Sequence, residues 1–121
     1  MTWEVLRLPE FDEWFGTLNQ AERRALDAKI LVLEQLGPSL GRPHADTMER
    51  SKHPNMKELR ARGTIRAFYA FDPLRRAILL VGGDKEGDSK FYNRMLARAD
   101  ELFDQHLKEC EEERRSMRRK E

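Results

Sequence analysis

The chain has 121 residues, 37% of them charged and 39% hydrophobic, with a formal net charge of +1. That length predicts one domain, able to bury roughly two-thirds of its unfolded surface in a modest core. A mean hydropathy of −0.81 and no apolar run near the ~20 residues of a membrane span exclude a helical membrane protein. The opening residues MTWEVLRLPEF lack the basic-then-apolar order of a secretory leader. The single cysteine, Cys110, has no disulfide partner within the chain, so a reducing cytoplasm is the expected compartment. His44, His53 and His106 are far apart and form no metal-ligand spacing with it, and neither a metal nor a cofactor is expected.

The charge is unevenly spread. Residues 1–50 carry 6 basic and 9 acidic side chains, residues 51–100 carry 11 and 6, and residues 101–121 carry 6 and 7. The central segment therefore holds the positive excess, which suits either a polyanion or the solvated outer face of a sheet.

In chain order, Thr2 to Leu8 alternates and predicts a short first strand, with Trp3 and Val5 on one face and Pro9 closing it. Pro9 suits the first turn of a helix, in which Phe11, Trp14, Phe15 and Leu18 recur at helical spacing. Asn19 with Glu22 three residues on resembles a capping box. The second helix it opens runs through Leu26, Ile30 and Leu33 to Leu36 and stops at Gly37-Pro38. The two make a helical hairpin, with their aromatics as core. Ser39 to Pro54 is polar, holds two prolines and has no period, which predicts a loop. Loops of this length in a compact domain are often functional.

Three strands follow: Met56–Arg60, Thr64–Phe71 and Ala77–Val81. The middle one alternates cleanly, with Ile65, Ala67, Tyr69 and Phe71 on one face and Arg66, Phe68 and Ala70 on the other. Gly63 marks one turn, Asp72-Pro73 with Arg75-Arg76 the next, and Gly82-Gly83 the end of the last strand. Short connections predict an antiparallel meander. Asp88 or Ser89 caps a final helix whose stripe is Met95, Ala99, Leu102 and His106, flanked by Leu96, Phe103 and Leu107. Residues 108–121 are nearly all charged, and either extend that helix or fray. The expectation is one α+β domain over 1–121, in the order β-α-α-β-β-β-α, with a small antiparallel sheet, a helical hairpin and a C-terminal helix.

If the helices lie on one side, part of the sheet's other face is open. Arg60 and Arg66 on neighbouring strands, Lys85 past the last strand and Tyr92 in the first turn of the last helix converge there. Arginine gives planar, bidentate phosphate contacts, lysine a point charge, and tyrosine a stacking face or a hydroxyl. Such a set suits single-stranded RNA and the stabilisation of a pentacoordinate phosphate. Lys57, Arg62, Lys90 and His53 are further RNA-binding candidates, although Lys57 alternates to the opposite face. As neither Arg66 nor Lys85 is expected in the core, alanine at either should leave the fold intact.

KELR (57–60), RAFYAFDP (66–73), RAILLVGGDK (76–85) and FYNRM (91–95), in that order, resemble the HigB side of the RelE/ParE superfamily, and within it the branch called phage-derived Gp49-like. LGPSLGRPHADTMERSKHPNMKELR is similar to that branch's approach to the sheet, and the likeness spans about residues 2–107. The resemblance implies a RelE-like fold and the toxin of a type II toxin–antitoxin system. It implies an endoribonuclease that cleaves mRNA, usually on the ribosome, without a metal, by attack of the 2′-hydroxyl on the adjacent phosphate. The implied partners are mRNA, the ribosome and a cognate antitoxin with a helix-turn-helix domain. Arg66 matches the basic residue that opens the middle strand, Lys85 the one beside the scissile phosphate and leaving group, and Tyr92 the aromatic that stacks or transfers a proton. Arg60 belongs to the ELR of the Gp49-like branch, where its pairing with Glu58 is either structural or catalytic. The chain departs from RelE-like members at Met56 and Glu58, where those carry lysines, so a lysine base is absent there. His53 is a substitute candidate, as histidines serve in some HigB members. Two other readings stay open: a non-catalytic inhibitor of the same fold that binds a protein such as DNA gyrase, and an RNA-binding module without activity.

Overall fold

The computed structural model describes residues 2–119. Its elements are β1 (Val5–Arg7), α1 (Pro9–Phe15), α2 (Gln20–Leu36), a 3-10 turn (Gly37–Ser39), β2 (Ala45–Thr47), β3 (Lys57–Arg60), β4 (Ile65–Phe71), β5 (Ala77–Asp84) and α3 (Phe91–Arg119). The local signals behave as their chemistry dictates. Pro9 occupies the first turn of α1, and Asn19 and Glu22 close a capping box on α2. The Asp88 carboxylate accepts the Lys90 N–H just ahead of α3.

The sheet has five strands in the order β1-β5-β4-β3-β2. Four run antiparallel, and β1 adds to the edge parallel to β5. This extends the expected antiparallel sheet in two ways. The first strand covers only Val5–Arg7, and Trp3 lies outside it. Within the expected 39–54 loop, Ala45–Thr47 pairs with Lys57–Arg60. Three residues are too few to show a period, so only the partner strand defines β2.

The expectation of an open face is corrected. The alternation in β4 feeds two cores. Ile65, Ala67 and Tyr69 pack with Phe11, Leu26 and Leu33 of the hairpin. Phe68 and Ala70 pack with Phe91, Leu96, Ala99 and Phe103 of α3. Both faces are thus covered, each fully buried large side chain contributing roughly 1.5–3 kcal/mol. The long stripe on α3, with further buried positions at His106 and Cys110, has no other surface to meet. The tail continues α3 to Arg119 instead of fraying among the described residues.

Gly82 and Gly83 do not end the last strand, which runs to Asp84. They are points of close approach. A Cβ on Gly82 would overlap the Trp14 ring, and one on Gly83 would stand 2.9 Å from Phe91. Glycine lets α1 and α3 sit down on opposite faces of the same strand. A register shift opposite Phe68/Tyr69 lets Leu80 and Val81 both join the α3 core. No helix among the described residues is long and apolar enough to cross a membrane.

Candidate active site

Antiparallel register places Arg60 directly opposite Arg66 and Glu58 opposite Phe68, on the face α3 covers. The first turn of α3 brings Tyr92 over the same spot. Its hydroxyl donates to Glu58 Oε1 at 2.7 Å, and Arg60 Nε donates to Glu58 Oε2 at 3.2 Å. Arg66 Nε stands 3.6 Å from Glu58 Oε1, beyond a good hydrogen bond, while its Nη1 donates to the carbonyls of Gly63 and Ile65. The Glu58 side chain is 2% exposed, that of Arg66 11% and that of Arg60 33%. A buried carboxylate at the centre of two guanidiniums and a phenol is therefore the floor of the site. Burial pushes the Tyr92 phenol above its ordinary value, and the Glu58 carboxylate beside it adds to the rise, against the opposing effect of Arg66. Tyr92 keeps its proton at neutral pH.

Above this floor lies a cleft of about 410 Å³ whose rim includes Arg42, Asp46, Arg50 and Tyr92. Asp46 accepts from Arg42 at 2.8 Å and from Arg60 at 3.3 Å. Asp46 thus ties both guanidiniums at the rim of the cleft. The segment between β2 and β3 forms one wall and is laced to α3: Arg50 donates to Asn93, Ser51 to Asp100, and Lys52 pairs with Asp104.

The structure brings Arg60, Arg66 and Tyr92 together and sets Lys85 beside them, its Nζ 5.9 Å from the Tyr92 ring centre, within cation–π range. Arg66 is buried, so the expectation that it lies outside the core is corrected: alanine there strips the donors from the 63–65 turn. Lys57 projects to the hairpin face and does not line the cleft, although its partner Thr47 does. Arg62 and Lys90 are exposed in turns beside the cleft and do not line it. His53 is removed from the site. It packs edge-on to Phe103 at 4.9 Å and bonds Asp104 at 2.8 Å, three turns along α3 from Tyr92. Its substitution for an absent lysine base is therefore not supported by geometry. Arg42, Asp46 and Arg50 are cleft residues that sequence reasoning missed, because they sit on an aperiodic stretch of the net-negative half. The positive excess of the central segment is likewise divided: Arg60, Arg66 and Lys85 gather at one end of the sheet, and Arg75 and Arg76 at the other.

That other end holds a second buried polar cluster. Asp72, in the β4–β5 turn, accepts the backbone N–H groups of Leu74 and Arg76 on Oδ1. Its Oδ2 accepts Arg76 Nε at 2.9 Å, meets His106 Nε2 at 2.8 Å and takes the Cys110 thiol at 3.4 Å. Burial pushes the Asp72 carboxyl up, but the hydrogen bonds from His106 and Arg76 outweigh it and hold the group below its ordinary range. Burial, reinforced by Asp72, raises the Cys110 thiol.

Comparison with known proteins agrees with this architecture. Residues 13–104 match the family described as phage-derived protein Gp49-like (DUF891). A Mycobacterium tuberculosis protein named as the toxin HigB3 is 46% identical over 105 residues, covering 85% of this chain and 92% of that one. Another, named as the toxin HigB2, is 39% identical over 112 residues, covering 88% of this chain and 56% of its own length. Among solved structures, the RelBE2 toxin–antitoxin complex of M. tuberculosis superposes with a TM-score of 0.55 at 15% identity, covering 69% of this chain and 99% of that one. A free mutant RelE toxin of E. coli gives 0.58 at 13% identity, covering 75% and 92%. The RelE–RelB complex of Pyrococcus horikoshii gives 0.56 at 18% identity, covering 72% and 99%. At these identities the structural likeness speaks for the fold.

Proposed function

Because the chain belongs to the phage-derived Gp49-like family and is a HigB-like member of the RelE-type toxins, we propose that it cleaves mRNA on the ribosome as the toxin of a type II toxin–antitoxin pair. The observation that carries this reading is the Glu58–Tyr92 hydrogen bond, flanked by Arg60 and Arg66, at the floor of an open cleft. The 2′-hydroxyl passes its proton to Tyr92 Oη while Tyr92 passes its own to Glu58, and the resulting alkoxide attacks the adjacent phosphate. Arg60, a third exposed and able to swing from Asp46, stabilises the charge that develops on the phosphorane. Arg66 holds Glu58 from below and adds positive potential. Lys85, whose Nζ stands 5.9 Å from the Tyr92 ring centre, is assigned the proton donor to the leaving 5′-oxygen. This relay runs on side chains alone and supplies a base where Met56 and Glu58 stand in place of lysines. A cognate antitoxin with a helix-turn-helix domain is the proposed partner, in keeping with the two solved neighbours that are toxin–antitoxin complexes.

Primer-extension mapping of transcripts from cells expressing wild type, Arg60→Ala, Lys85→Ala, Glu58→Gln or Tyr92→Phe tests the proposal. Wild type should cut on translating ribosomes. Arg60→Ala should lose about 100-fold or more in rate, and Glu58→Gln should flatten the pH dependence of what remains. Growth arrest by wild type with no cleavage would reject the nuclease and favour the inhibitor of a protein target.

A further inference from the structure

We propose that Asp72, His106 and Cys110 bind one divalent transition-metal ion of the zinc class, which clamps α3 to the β4–β5 turn. The three residues present a carboxylate oxygen, an imidazole nitrogen and a sulfur toward one another. Nε2 to Oδ2 is 2.8 Å, Sγ to Oδ2 is 3.4 Å, and Sγ to Nε2 is 3.3 Å. One face of a zinc tetrahedron, with bonds of about 2.0–2.3 Å, has edges of roughly 3.3–3.7 Å. The ion therefore enters if the nitrogen–oxygen edge opens by about half an ångström and the others by less. His106 and Cys110 are four apart on one helix face, which fixes their spacing, and Asp72 is held against them from the turn.

Asp72 is locked by two backbone N–H groups on Oδ1 and by Arg76 Nε on Oδ2, the outer hydrogen bonds that orient a ligating carboxylate. Arg76 also reaches the sulfur, its Nη2 donating to Cys110 Sγ at 3.5 Å, as an outer N–H donor to a ligating thiolate would. Binding releases the thiol proton, and His106 turns the Nε2 lone pair to the ion with its proton on Nδ1. Carboxylate and thiolate then balance the divalent charge, and Arg76 is balanced by Glu113 at 3.5 Å. His106 also lines a groove of about 530 Å³ between α1 and α3, with Glu10, Glu13 and Glu109 on its walls. That groove gives a cation an acidic approach and supplies water for the fourth position. Thiolate with imidazole selects zinc, cobalt or iron over magnesium and calcium.

The test is a cobalt(II) titration of the reduced, chelator-stripped full chain. The expected result is a thiolate-to-cobalt charge-transfer band with the visible bands of a four-coordinate ion, saturating at one equivalent and displaced by zinc. Cys110→Ser should remove the charge-transfer band, and His106→Ala should weaken cobalt binding by about 10-fold or more. Zinc should raise the unfolding temperature of wild type and of neither variant. No charge-transfer band in the folded wild type, or one that survives Cys110→Ser, overturns the proposal. The wild-type titration decides even if a variant does not fold.

Discussion

The two ends of the sheet are built from the same parts and differ in access. At one end Glu58 meets Arg60, Arg66 and Tyr92; at the other Asp72 meets Arg76, His106 and Cys110. Each has a carboxylate from a strand or the turn beside it, a guanidinium close by and a side chain from α3. Glu58 forms the floor of an open cleft in which Arg60 reaches solvent, and Asp72 lies beneath α3 with no exposed side-chain surface of its own, only its neighbour His106 facing a groove. Composition does not separate a reactive site from a structural clamp. What differs in the structure is access: the Arg60 side chain is 33% exposed and that of Arg76 14%.

Replacing each carboxylate is the strongest way to break this comparison. Glu58→Ala and Asp72→Ala should each cost about 3 kcal/mol, since each takes from a largely buried guanidinium its nearest or most buried carboxylate and strands the other donors of the cluster. Urea unfolding measures that cost. Cleavage per folded molecule should vanish in Glu58→Ala and persist in Asp72→Ala; equal loss in both would erase the distinction. Arg60→Lys sharpens the cleft side. Its stability should change by less than about 1 kcal/mol because the site is partly exposed, while cleavage falls by roughly 100-fold with the loss of bidentate geometry.

Acid titration addresses the clamp. Asp72 has a folded pKa below its ordinary value. Its contribution to stability is fully present above the unfolded value of about 3.9 and disappears as pH falls through the lower folded value. Asp72→Asn should therefore be less stable at neutral pH, with the difference from wild type shrinking on the acid limb. Unfolding curves collected down that limb would reveal any parallel offset that contradicts this. The smallest effect belongs to His53→Ala, which removes one of the ties between the 48–56 segment and α3. Amide exchange in that segment should quicken while cleavage stays near wild type; a large cleavage defect would restore His53 to the chemistry.

Much of the fold was legible from local pattern. The alternation of Ile65, Ala67 and Tyr69 against Phe68 and Ala70 divides the two cores as the structure does. The Asn19–Glu22 capping box and the Pro9 start also hold, because both depend on neighbours in the chain. Of the site, Arg60, Arg66 and Tyr92 were readable as a group, since strand adjacency and a helix start are short-range inferences. The burial of Arg66, the cleft wall from Arg42 to Arg50 and the displacement of His53 were not readable.

By itself the sequence determined where the longer strands and the helices form, which of their faces are apolar, and the family to which the chain belongs. Periodicity and capping are properties of a few consecutive residues. Tertiary structure decided that β2 exists at all, that α3 covers the second face, and that Gly82 and Gly83 are docking points. It also joined Glu58 to Tyr92 and Asp72 to His106, each across 34 residues. Those outcomes depend on which surfaces bury each other, a choice made among distant segments and written in no single stretch of chain.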